Sequence, residues 1–277
     1  MDGVEVLQVS SSLRQRTLTA VVLGPLVIAA VLWLPTPAFA LFFGLVVMGA
    51  GWEWCGLAGL VSLPQRAAYL ALIAACMGLL WPQADWRLWL IGLSVPWWIA
   101  QSVRMLRMRE VLPVSGLQPL LLPVGLLVLV APWAALVDLH RIGPALVLFL
   151  LVIIWTADSL AYFVGRRWGR AKLAPAVSPG KTLAGVYGGI AGAAFCGLLF
   201  AWQQSLGWWA GLLVLLFCAF AASISIVGDL YESFLKRRRG LKDSSQILPG
   251  HGGLLDRIDS LTAAAPLFAL GMTWALM

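Results

Sequence analysis

Apolar runs of about 20 residues recur from one end of this chain to the other, and charged residues fall almost entirely between them. A helix needs about 20 mostly apolar residues to cross a bilayer, so these runs limit the possible folds more than any other feature. Nine candidates stand out: 17–35, 38–56, 67–83, 86–103, 119–137, 142–164, 185–204, 207–227 and 260–277. The second, third and eighth are clear by hydropathy, while Pro96 and Pro123 predict kinks or interfacial placement in the fourth and fifth.

A large soluble core does not account for this pattern. Only 11% of the 277 residues are charged, against about one quarter in a soluble domain. The sequence predicts an all-α polytopic membrane protein of about nine transmembrane helices. Trp33, Trp81, Trp86 and Trp208 stand near expected span ends, as an interfacial aromatic belt requires.

Charge asymmetry orients the bundle. With nine spans and a cytoplasmic N-terminus, all Lys and Arg except Arg87 and Arg141 fall in cytoplasmic segments, Arg14 and Arg16 among them. That partition obeys the positive-inside rule. The net charge of +7 is thus a topology signal and gives no reason to invoke nucleic acid. Arg14 and Arg16, the following apolar run and "TPAFA" at 36–40 resemble a secretory signal. The run exceeds the usual ~7–15-residue apolar core, so an uncleaved first helix is expected.

Cys55, Cys76, Cys196 and Cys218 are isolated in apolar segments and form no CxxC pair. They read as small buried hydrophobes. About five helices occupy an N-terminal region, 1–137. A C-terminal region, 138–277, adds about four, with polar loops at 165–184 and 228–259.

Carboxylates are few, and their positions narrow the chemistry. Glu53, in "GAGWEWCGL", lies near the inner end of the second span. An intramembrane acid is a functional candidate, and an interfacial Glu between two Trp is an equal alternative. Asp158, in "IIWTADSLAYFVGRRWG", lies in the cytoplasmic half of the sixth span. Asp229 and Glu232 are spaced i, i+3 where the eighth span is expected to end, and Asp256 and Asp259 repeat that spacing where the ninth begins. On a helix each pair shares a face. Four carboxylates at one membrane level repel unless protons or cations neutralise them, and hard oxygen ligands suit Mg²⁺. Acids favouring a helix start offer another reading of Asp256 and Asp259.

Between these pairs runs a basic, glycine-rich segment containing Lys236, Arg237, Lys242-Asp243, Pro249-Gly250 and His251-Gly252-Gly253. Cations beside a flexible backbone are the equipment of phosphoryl and nucleotidyl transfer. His251 reads equally as an acid/base or as a loop-orienting donor. Upstream, "SPGKT" at 178–182 invites a P-loop reading, but that motif needs Gly where this chain has Pro175. Ser178, Lys181 and Thr182 can still donate to phosphate at the start of the seventh helix.

The stretch 233–259, "SFLKRRRGLKDSSQILPGHGGLLDRID", resembles the hallmark of the phosphatidate cytidylyltransferases, or CDP-diacylglycerol synthases. That pattern sets Ser233, Lys236-Arg237, Lys242-Asp243, Ser245, His251-Gly252-Gly253, Asp256-Arg257 and Asp259, and every demanded position is met. Residues 158–169 and 178–182 are also similar to the family, although Ala184 stands where members often carry Glu or Gln. The resemblance covers about the last 130 residues well and the first half by hydropathy alone.

It implies that CTP and phosphatidate give CDP-diacylglycerol and pyrophosphate. The implied site opens at the cytoplasmic ends of the C-terminal helices, in a homodimer within the bacterial cytoplasmic (inner) membrane. It further implies Mg²⁺, with K⁺ as a second cation, Asp229 and Asp256 as metal ligands, and Asp158, Asp243, Asp259 and Glu232 as supporting groups. Lys181, Lys236, Arg237, Lys242 and Arg257 would bind phosphates, with Ser178 as a donor, and His251 would belong to the catalytic set.

Three rivals are weaker. A CTP-dependent polyprenol kinase does not explain the complete match over 233–259. A CDP-alcohol phosphatidyltransferase would need an Asp-Gly-x-x-Ala-Arg start, which is absent. A transporter would place acids near the bilayer midplane on paired broken helices, whereas here they gather at one edge.

Overall fold

The computed structural model describes residues 19, 21–248 and 252–276 of the chain. Each stretch expected to span coincides there with a helix. In order these are α1 (Val21–Trp33), α2 (Thr36–Ala58), α3 (Leu63–Leu80), α4 (Ala84–Arg107), α5 (Leu121–Ile142), α6 (Pro144–Trp168), α7 (Leu183–Gln203), α8 (Trp208–Arg238) and α9 (Leu255–Leu276). Helix is the form that satisfies every backbone N–H and C=O inside lipid without a partner strand.

Among the described residues six helices, α2, α3, α5, α6, α7 and α8, are long and apolar enough to cross a membrane, and the chain is a multi-pass integral membrane protein. The remaining three fall short of that measure for visible reasons. The described part of α1 is short. Helix α4 is charged near both ends, with Asp85, Arg87, Arg104 and Arg107. Helix α9 opens on Asp256, Arg257 and Asp259. Arg14 and Arg16, on which the expected N-terminal orientation leans, lie outside the described residues.

The helix starts follow local chemistry. Proline stands in the first turn of α2, α3 and α6, where its missing N–H is no loss. Ser62 and Gln65 complete a capping box at α3. Pro123 also lies in the first turn of its helix, α5, so the kink expected of it does not arise. Pro96 and Pro132 do sit inside helices.

Helix α5 is the axis of the bundle. Its apolar window is 67% buried, against 17% for the outward-facing α3, and it packs against α2, α4, α6 and α9. The C-terminal helices pack in sequence, α6 on α7, α7 on α8 and α8 on α9, and α9 returns to α5. Close approach of α7 to α6 depends on glycine. A Cβ at Gly185 would lie 2.7 Å from the Ala161 carbonyl oxygen, and one at Gly189 would lie 2.8 Å from that of Ala157. Small residues four apart are the usual means of bringing membrane helices this close.

Two features differ from the sequence reading. Residues 165–184 hold a small antiparallel hairpin, β1 (Lys172–Ala174) and β2 (Ser178–Thr182), with Lys172 opposite Thr182 and Ala174 opposite Ser178. Among the described residues the named elements are therefore all helical except for this hairpin, and "SPGKT" is a strand. Helix α8 also runs eleven residues past its expected end at 227, to Arg238. Asp229 and Glu232 consequently lie within the helix, while Lys236, Arg237 and Arg238 fill its last turn, where cations favour the helix dipole.

At the opposite end of the bundle, Arg87 is 1% exposed and joins three elements. Its Nε donates to Asp138 Oδ1 at 2.7 Å, and its Nη1 donates to the Leu80 and Trp81 carbonyls that end α3, at 2.8 and 2.7 Å. Arg141 stands 3.8 Å from the same carboxylate. Replacing a buried partner strands the other charge, at a cost of about 3–5 kcal/mol. Arg87→Leu is expected near the lower bound, about 3 kcal/mol, because Arg141 remains. Thermal unfolding in detergent would read this, and an unchanged midpoint would deny Arg87 the role.

Candidate active site

The end of the bundle that carries the hairpin gathers nearly all the residues singled out in the sequence. Helix α9 crosses α8 closely because Gly228 leaves room for the Asp259 backbone and Ala263. This crossing brings Asp229 and Glu232 to the level of Asp256 and Asp259. Thr182 caps α7, its Oγ1 accepting from Gly185 N at 3.2 Å. That cap fixes the hairpin above α6 and delivers Lys181 toward α8.

Each lysine that enters the cluster meets a carboxylate. Lys181 Nζ lies 2.6 Å from Asp229 Oδ2, with both side chains partly exposed, and Ser233 Oγ donates to Asp229 Oδ1 at 3.3 Å. Lys236 Nζ donates to Asp256 Oδ1 and lies 3.4 Å from Glu232 Oε1. Glu232 is 3% exposed, and neither of its carboxylate oxygens accepts a hydrogen bond among the described residues. The Lys236 ammonium therefore serves it at ion-pair range only. Asp229 and Asp256, the expected metal ligands, each have a separate lysine.

Asp256 is the more heavily bonded of the two. Its Oδ2 accepts from Ser244 N at 3.0 Å, Ser244 Oγ at 2.9 Å and Gly253 N at 2.8 Å. The Gly253 contact reaches back three residues, as the acidic half of a capping box does, so Asp256 also starts α9. It lies ahead of the apolar stretch 260–277. Burial alone would push its carboxyl up, but the Lys236 ammonium and the Gly253 N–H outweigh that and hold it down at about 2.

Glu53 answers the question left open by its sequence. It is 3% exposed and accepts four hydrogen bonds from one loop. Ser244 Oγ and Ser245 Oγ donate at 2.9 and 2.5 Å, and the Leu254 and Leu255 amides donate at 2.9 and 2.7 Å. Gly253 passes directly over this carboxylate, and a Cβ there would overlap Ser244 Oγ and both Glu53 oxygens.

The basic run is divided in its duties. Lys236 is buried in the cluster. Arg239 donates to the Leu57, Val114 and Gly116 carbonyls, tying α8 to the end of α2, and Arg238 packs over Phe234. Arg237, Lys242, Asp243 and Arg257 are exposed. Lys242, Asp243 and Arg257 make no ion pair among the described residues, and the described contact of Arg237 is with the Leu241 carbonyl at 3.2 Å. His251 lies outside the described residues, as do Pro249 and Gly250.

Two cavities meet here. One, of about 420 Å³, is lined mainly by apolar side chains of α1, α2, α5 and α6, with Asp158, Asp256, Arg257 and Asp259 among its polar lining. The other, of about 510 Å³, lies between α6, the hairpin, α7 and α8 and is lined by Arg166, Lys172, Lys181, Thr182 and Asp229. Asp158 lines both. Ser178, on β2, is not among the residues lining either.

Among the described residues, no three His, Cys, Asp or Glu converge to hold a metal by themselves. The donors are all carboxylate oxygens, the kind Mg²⁺ takes, and Mg²⁺ uses one or two carboxylates with water and substrate phosphates rather than a protein cage. The unbonded Glu232 oxygens likewise mark a carboxylate cluster short of donors. The residues fit such a shared ion and do not form a closed cage.

Comparison with known proteins agrees with this chemistry. Residues 14–274 match the cytidylyltransferase family. The phosphatidate cytidylyltransferase of Pseudomonas aeruginosa is 43% identical over 265 residues, covering 95% of this chain and 97% of that protein. Its namesake in Haemophilus influenzae is 36% identical over 283 residues, covering 93% and 97%. That of Thermotoga maritima is 42% identical over 131 residues, 45% of this chain. The similarity thus extends through the first half, beyond the hydropathy alone expected there. The chain belongs to the cytidylyltransferase family.

Gly253→Ala is expected to lower stability by about 1–3 kcal/mol, as overpacking does. Gly92→Ala, inside α4 and with a Cβ that would meet nothing within 4 Å, is the control and should be neutral or slightly stabilising. Paired unfolding midpoints in detergent would check this, and equal midpoints would contradict the close passage over Glu53.

Proposed function

We propose that this member of the cytidylyltransferase family transfers the cytidylyl group of CTP to phosphatidate, giving CDP-diacylglycerol and pyrophosphate for phospholipid synthesis. Beyond family membership, one observation supports the reading most. An apolar cavity and a basic, polar one adjoin at a single carboxylate, Asp158, as a reaction between a lipid and a nucleotide requires.

In this reading the triphosphate of CTP occupies the polar cavity, near Lys172, Lys181 and Arg166. An acyl portion of phosphatidate occupies the apolar cavity, with its phosphate toward Arg257. A phosphatidate oxygen, already anionic, attacks the α-phosphorus, and the bond from that phosphorus to the β-bridging oxygen breaks as pyrophosphate leaves. No general base is needed. The protein's work is to hold the two phosphates in line and to neutralise them. Lys181 and Arg257 are suited to this, and exposed Arg237 and Lys242, with half-buried Ser178, would assist on the approach. Asp243, Asp259 and Glu232 would orient them, and His251 would belong to the catalytic set.

Mg²⁺, held by Asp229 and Asp256 together with substrate phosphates, would supply charge neutralisation at the triphosphate, with K⁺ as a candidate second cation. We further propose nine membrane crossings in a homodimer. The N-terminus and the site would face the cytoplasm of a bacterial inner membrane, in keeping with the Lys and Arg distribution.

Purified protein in mixed micelles should release pyrophosphate only when CTP and phosphatidate are both present, and chelation by EDTA should abolish release. Lys181→Ala and Asp256→Asn are each expected to lower kcat/KM by about 100-fold or more, the scale of losing one charge-stabilising group. Release without phosphatidate would sink the substrate assignment. Full activity in EDTA would sink the metal.

A further inference from the structure

Glu53 lies on α2, nearly 200 residues from the loop it holds, and outside the stretch that resembles the family hallmark. Its surroundings are built for that loop. One turn earlier on the same face of α2, Gly49 leaves space for Leu254, whose Cδ1 would overlap a Cβ at that position. The two features form a seat: Gly49 admits the Leu254 side chain, and Glu53 accepts the Leu254 and Leu255 amides. Gly253 crosses above the carboxylate. Those amides belong to the entry of α9, so Glu53 completes hydrogen bonds that the helix start cannot make for itself.

The hold continues to Asp256. Ser244 Oγ lies 2.9 Å from Glu53 Oε2 and 2.9 Å from Asp256 Oδ2, and it has one hydrogen to share between them. Ser244 N and Gly253 N also donate to Asp256 Oδ2, and both belong to the segment Glu53 anchors. That leaves Oδ1 of Asp256 directed at Lys236. We infer that Glu53 is a positioning residue for the reaction. It seats Ser244, Ser245, Leu254 and Leu255 on α2 and thereby sets the orientation of the Asp256 carboxylate toward Lys236. The inference rests on the proposed cytidylyl transfer for its kinetic consequence, though not for the seat itself.

Glu53→Gln nearly preserves shape but brings an amide NH₂ against donors, whichever way it is turned. The variant would be compared with wild type in detergent by thermal unfolding, by amide exchange of peptides covering 252–256, and by pyrophosphate release at saturating CTP and phosphatidate. We expect a folded variant with faster exchange in that peptide and kcat lowered about 100-fold, the scale of misplacing a reacting group by an ångström. KM for phosphatidate should stay within about twofold, because neither cavity is lined by Glu53.

A folded variant with wild-type kcat would overturn the inference, as would a fall in kcat with unchanged exchange at 252–256, or a rise in KM with kcat unaltered. Where Glu53→Gln does not fold, Ser245→Ala decides, since it removes one of the four donors without touching a charge. A lower kcat at a wild-type melting temperature supports the seat, and a wild-type kcat rejects it. Should wild-type protein release no pyrophosphate from CTP and phosphatidate, the substrate reading fails, and the exchange comparison still tests the seat.

Discussion

A bilayer offers no water to a charge that lacks a partner, and this constraint governs both ends of the molecule. Desolvating an ion pair is expensive, and removing one member is worse than never having buried the pair. At one end Arg87 meets Asp138 and caps α3. At the other, Lys181 meets Asp229 while Lys236 stands between Glu232 and Asp256. Helix positions are set by these meetings as much as by apolar packing, because α8 and α9 cannot slide past each other without separating Lys236 from Asp256.

The two ends differ in purpose. Arg87 is well partnered, with one carboxylate and two carbonyls around a buried guanidinium. The opposite end is left incomplete: Glu232 has oxygens without donors, and exposed Arg257 and Asp158 both line the apolar cavity. A membrane protein tolerates such incompleteness where a ligand is to complete it. The N-terminal helices take part in this as well. They supply the walls of the apolar cavity and the Glu53 seat, and one apolar core runs from Val31 to Ala269.

Much of this was legible in the sequence. Apolar length located the nine described helices to within a few residues at most ends, because span length is a direct physical requirement. The i, i+3 acids marked the site because charge is costly in such a setting. What escaped was whatever depends on contacts between distant segments. Nothing local tells that Glu53 answers the amides of Leu254 and Leu255, or that Lys181 answers Asp229. The extension of α8 was missed because its last three turns are polar and amphipathic, which a span-length criterion cuts off. The hairpin was missed because a three-residue strand beside "SPGKT" has no periodicity to read. A carboxylate between tryptophans with glycines one turn away was the available signal for Glu53.

Lysines already bonded to the site's carboxylates have a thermodynamic consequence. A phosphate that draws Lys181 from Asp229 exposes an anion, which any incoming cation will favour. A cation that joins Asp229 releases Lys181 for a phosphate. Each event improves the affinity for the other by the same factor, since linkage between two binding equilibria is reciprocal. In the proposed reaction, two ligands of opposite sign would thus be made cooperative by a single 2.6 Å contact.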